Sequence, residues 1–72
     1  MELMHFQFED LNKLVETAEK LRLMYDHILI SYSSKKLILN VECTNSMIFD
    51  TRIISFVGKH GGRKVIFPND TQ

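Results

Sequence analysis

Seven consecutive residues, Gly58-Lys59-His60-Gly61-Gly62-Arg63-Lys64, hold all three glycines of this 72-residue chain and three of its nine Lys and Arg residues. The chemistry such a segment can do is anion binding. Glycines lack Cβ, so successive N–H groups can turn inward as a nest, while Lys59, Arg63 and Lys64 add charge-assisted donors. His60 contributes a titratable ring, which would make that binding pH-dependent. The ligand would be the phosphate of a nucleotide or nucleic acid, or a carboxylate-rich protein surface. It is not a Walker A loop, whose Lys is followed by Ser or Thr and opens a helix; here Val65 follows Lys64 and the pattern beyond is strand-like. The plain alternative is a hairpin tip, with glycines at positive φ and lysines keeping it soluble.

A second basic tip, Ser33-Ser34-Lys35-Lys36, lies between two alternating apolar runs. In a meander both tips emerge at the same end of the sheet, and Lys35, Lys36, Lys59, Arg63 and Lys64 would form one patch able to span two phosphates. The sequence pI of about 6.8 is nevertheless below that of dedicated nucleic-acid binders. Neither an RNP-like aromatic pattern nor a helix-turn-helix pair is present.

Other chemistry finds little footing. His5, His27, His60, Cys43, Asp26 and Asp50 show no metal-ligand spacing, so no metal or cofactor is expected. Cys43 falls on the apolar side of an alternating run, which suits an inert buried thiol. No Gly-x-Ser-x-Gly elbow frames a serine, and Glu9, Asp10, Glu16 and Glu19 read as a solvated helix face rather than an acid–base pair. No catalytic residue is assigned, and the chain is expected not to be an enzyme.

The elements that must carry these tips are legible from periodicity. Leu11, Leu14, Val15, Ala18, Leu21 and Tyr25 form one helical stripe, predicting an amphipathic helix over 8–25. With Gln7, a weak capping residue, as the N-cap, Phe6 and Leu11 have staple spacing, and Glu9–Lys13 and Glu16–Lys20 are i,i+4 pairs. The apolar body of Arg22 is expected to pack while its head reaches past the rim. Alternation then predicts strands over 28–33 and 37–43, separated by the Ser33–Lys36 turn. Met47–Val57 reads as a long strand over 47–57, central where Ile53-Ile54-Ser55-Phe56-Val57 are apolar on both faces. A last strand, 64–67, stops at Pro68, leaving 68–72 as a tail, and Leu3–Phe6 read as an edge strand or an ordered arm. The expectation is therefore a single α+β domain, (β)αββββ, with one N-terminal helix packed on an antiparallel meander.

Composition narrows the class further. Zero formal net charge with 44% hydrophobic residues fits a folded domain. No run approaches the roughly 18 apolar residues that cross a bilayer, so no membrane association is expected. A single cysteine and the absence of a secretory signal pattern point to the cytoplasm. Phe, Tyr, Met, Ile, Asn and Lys total 28 residues against 8 for Gly, Ala, Arg and Pro, a bias that suits an AT-rich genome and, with the small size, a phage or plasmid origin. The apolar share exceeds what one helix and one sheet can hide. A non-enzymatic interaction protein is thus the leading expectation: an inhibitor, adaptor or regulatory subunit, homodimeric, meeting a partner with an acidic surface. Binding of a nucleotide or nucleic-acid backbone is the alternative.

Overall fold

Alternation of Met4, Phe6 and Phe8 with polar or exposed neighbours makes the start of the chain a strand, β1 (Glu2–Gln7). The computed structural model describes residues 2–26, 28–43 and 48–66, and of Glu2, Cys43 and 48–50 the backbone only. Helix α1 (Leu11–Met24) follows, with Asp10 extended at its N-cap and the Asp10 carboxylate accepting the Asn12 N–H at 2.8 Å. A cap of this kind is worth about 1 kcal/mol. The helix starts three residues later than its periodicity suggests, because Asp10 and not Gln7 caps it. Glu9 then precedes the helix, so the Glu9–Lys13 pair and the Phe6–Leu11 staple lose their helical geometry. Glu16 and Lys20 do meet, at 3.2 Å.

Strands β2 (Ile28–Ser33) and β3 (Ile38–Cys43) form a hairpin over a four-residue turn, closed by the Leu37 N–H donating to the Ser33 carbonyl at 2.8 Å. The run expected as a strand over 47–57 is instead helix α2 (Ile48–Lys59). Ile53 and Val57, one helical turn apart, point into the core and are fully buried, while Ser55 on the far side is exposed. A strand would have put Ile53, Ser55 and Val57 on one face together. Strand β4 (Arg63–Val65) comes last, beginning one residue before the predicted 64–67. Phe67, the 68–72 tail and the 44–46 turn lie outside the described residues.

The element order is therefore β1-α1-β2-β3-α2-β4, and the sheet order is β2-β3-β1-β4, antiparallel throughout. The α+β class, the helix after the first strand and the four-stranded antiparallel sheet are as expected. The consecutive meander is not, since α2 replaces one strand and β1 moves from edge to interior. β1 and β2 run parallel with β3 between them, and β3 and β4 run parallel with β1 between them. Two interleaved split β-α-β units result, the ferredoxin-like arrangement. Architecture of this kind hosts many unrelated functions and assigns none by itself.

Both helices cover one face of the sheet. Met4, Phe6, Leu39 and Val41 from the strands and Phe8 just past β1 meet Leu14, Ala18 and Leu21 of α1 and Ile53 and Val57 of α2 in one buried cluster. Thr17, also fully buried, satisfies its hydroxyl by donating to the Lys13 carbonyl at 2.7 Å. The Cα envelope measures 31 × 29 × 17 Å, and its short dimension fits the one sheet layer and one helix layer that the described residues form.

Candidate interaction surface

The glycine-rich segment is a helix stop. Past Lys59 the Gly62 N–H donates to the Val57 carbonyl at 2.9 Å and the Gly61 N–H to the Gly58 carbonyl at 3.2 Å, the bond pair of a Schellman cap. Gly61 takes φ +97°, which an L side chain rarely adopts, and Gly62 is buried with a Cβ position overlapping Val57 and the Phe8 ring. These glycines are thus required by geometry. The His60 N–H also donates to the Val57 carbonyl, at 3.0 Å, so the amides of His60, Gly61 and Gly62 are all committed to helix carbonyls. They form no inward nest, and the segment is a helix-to-strand turn rather than a hairpin tip. The His60 Nδ1 donates to the Phe56 carbonyl at 2.9 Å, and its ring lies against Phe56 with centroids 4.3 Å apart.

What remains of the expected anion chemistry is side-chain charge, and the topology concentrates it. Gln7 pairs with both Ile38 and Arg63, so the end of β1 sits between the β2–β3 turn and the start of β4. Gln7 Nε2 donates to the Lys36 carbonyl at 2.9 Å and the Phe8 N–H to the Leu37 carbonyl at 2.8 Å, pinning that turn to β1. Lys35, Lys36, Lys59, Arg63 and Lys64, all exposed, consequently share one end of the molecule. Lys13 joins them, its Cδ 3.6 Å from where a Cβ on Gly61 would lie. In the sequence Lys13 enters only as the i,i+4 partner of Glu9; its convergence with the two tips depends on α1 starting beside the α2–β4 turn, which no local pattern encodes. Six of the nine Lys and Arg residues thus gather there against Glu9 and Asp10.

The second feature is the sheet face away from the helices. Its rows follow from the register: Ser33, Ile38, Gln7 and Arg63; Ser31, Asn40, His5 and Val65; Leu29, Glu42 and Leu3. His5 Nδ1 donates to Asn40 Oδ1 at 2.7 Å, and Asn40 Nδ2 donates to Ser31 Oγ at 3.3 Å, a polar ladder across three strands. Beside it Leu3 and Leu29 flank Glu42 and remain 56% and 60% exposed. No Phe, Tyr or Trp stands on this face among the described residues, so it offers no platform for stacking bases.

His5 and His60 lie on different elements, and among the described residues no three His, Cys, Asp or Glu side chains are grouped to hold a metal ion. His27 and the side chains of Cys43 and Asp50 lie outside the described ones. No described helix is long and apolar enough to cross a membrane. Comparison with protein-family models, with curated proteins and with solved structures yields no match.

Proposed function

We propose that this chain is a small non-enzymatic interaction protein, an inhibitor, adaptor or regulatory subunit, that engages another protein through the open face of its sheet. Its basic end would meet an acidic region of the same partner. The observation that supports this reading is that the described residues cover the sheet on one side, which leaves Leu3 and Leu29 more than half exposed beside Glu42. Isolated exposed leucines are ordinary, but here two share a cross-strand row on a regular surface beside a polar ladder. Such a row gives a partner apolar contact with fixed polar register.

The test is affinity capture from the native host with the wild type and with Leu3→Asp/Leu29→Asp, both positions being exposed enough to leave the fold intact. A partner retained by the wild type and lost by the double variant is expected. Identical captured sets would sink the proposal.

A second reading, binding of anionic ligands, is favoured by the six converging cations. It requires side chains alone to hold the ligand, because the cap amides are occupied. Excess absorbance at 260 nm after low-salt purification, abolished in K59A/R63A/K64A, would support it. Survival of that excess in the triple variant would exclude the basic end.

A further inference from the structure

We propose that β2 is a self-recognition edge: two copies pair antiparallel along Ile28–Ser33 and merge their four-stranded sheets into one continuous sheet. This rests on the reading of the chain as an interaction protein, and it names one partner, a second copy.

The direction of the backbone groups comes first. In an extended strand the N–H and C=O of one residue point to one side, and the side alternates along the chain. The Ser33 carbonyl accepts the Leu37 N–H of its own hairpin turn at 2.8 Å, so Ser33, Ser31 and Leu29 face β3. Ile28, Ile30 and Tyr32 therefore aim their N–H and C=O groups outward. Arg22 agrees with this, because its Nη2 approaches the Ile30 carbonyl at 3.5 Å from α1. Among the described residues no strand pairs with that outer side.

The two edges of the sheet are guarded unequally. β4 is three residues long and carries Arg63 and Lys64, and short cationic edges resist pairing. β2 is six residues long, Ile-Leu-Ile-Ser-Tyr-Ser, without charge, proline or glycine. Among the described residues its guard is the Arg22 guanidinium, at the long limit of a hydrogen bond.

The strand is also its own complement. About a twofold axis at Ile30, Ile28 stands opposite Tyr32 of the second copy and Leu29 opposite Ser31, so aliphatic meets aromatic and no charge opposes its like. Every outward N–H and C=O of Ile28, Ile30 and Tyr32 finds a partner in this register. Pairing must displace Arg22, and an edge contact buries far less than the ~1,600 Å² of a standard interface. Association is therefore weak, with a dissociation constant of about 10–1,000 μM.

Two measurements test the proposal. Sedimentation of the full chain up to about 1 mM should show a monomer–dimer equilibrium, and Arg22→Ala should tighten it. With rising concentration, the Ile28, Ile30 and Tyr32 amides should gain hydrogen-exchange protection, whereas the Leu29, Ser31 and Ser33 amides are protected throughout. Register is tested by charge. Leu29→Lys/Ser31→Lys sets like charges opposite each other twice and should weaken the dimer roughly tenfold, whereas Leu29→Glu/Ser31→Lys sets opposite charges there and should restore or tighten it. Both positions are exposed, and circular dichroism checks the fold of each variant. A wild type that stays monomeric, or a dimer indifferent to both charge pairs with fast-exchanging outer amides, overturns the edge pairing. The two readings separate at Leu3, which lies on β1 and outside the β2 edge: Leu3→Asp alone should weaken capture of a foreign partner and leave the dimer unchanged, whereas the Leu29/Ser31 charge pairs report the dimer.

Discussion

Gly62 has the least freedom of any residue in the turn. A methyl there would enter the space of Val57 and Phe8, both fully buried, so neither neighbour can yield outward. Gly62→Ala should lower unfolding free energy by about 3 kcal/mol, an overpacking cost. Gly61→Ala meets only the end of Lys13 and pays for its φ of +97°, about 1 kcal/mol. Urea denaturation of the two variants checks both the sizes and the order; equal effects would mean that the close approach at Gly62 is not limiting. Leu37, at φ 58°, occupies the same backbone region without being glycine. It stays there because its side chain packs against the core while its N–H closes the hairpin.

Helix α2 is the element where sequence reading and structure part. Its residues, Ile-Phe-Asp-Thr-Arg-Ile-Ile-Ser-Phe-Val, are rich in β-branched and aromatic types, which favour strands when nothing else decides. Tertiary context decides here: Ile53 and Val57 match the helical period and complete the core, and Gly61 supplies the left-handed residue that ends a helix. That stop signal was present in the sequence, but the same glycines also suit a hairpin, so it could not arbitrate alone. Exposed Ser55 distinguishes the two states. Ser55→Ala should raise stability by about 0.5 kcal/mol in a helix, whereas the same change in a strand would lower it. At α1 the Asp10 cap makes a parallel case, with Asp10→Ala expected to cost about 1 kcal/mol in thermal or urea unfolding. The α1 stripe, the β2 and β3 alternation and the turn between them were legible because each is a local pattern with one consistent period. The interior place of β1 was not, because pairing with β3 and β4 is a long-range choice that no window of residues displays. For the surface, the convergence of Lys35 and Lys36 with Arg63 followed from topology alone, and the true order preserves it by a different route.

At the scale of the molecule, one core among the described residues joins both helices to the inner strands β1 and β3. Ile53→Ala should remove about 2–5 kcal/mol, a large share of the roughly 4–11 kcal/mol available to a chain of this length. Unfolding followed by far-UV circular dichroism and by tyrosine fluorescence should give coincident transitions; separated midpoints would show that α2 and β4 form a unit of their own. The sheet order has a consequence in time as well as in space. β1 is made before β3 and β4, yet it lies between them and cannot be completed until β4 arrives. Helix α1 and the β2–β3 hairpin close over short loops, whereas seating β1 demands the costliest loop closures in the chain. Insertion of β1 is then the late event of folding, and its side chains should be silent in the transition state. Phe6→Leu should accordingly speed unfolding with little change in refolding rate in a chevron analysis. Until that strand is seated, the folding chain holds Glu2–Gln7 as an unpaired segment and offers the same gap to any foreign strand that reaches it sooner.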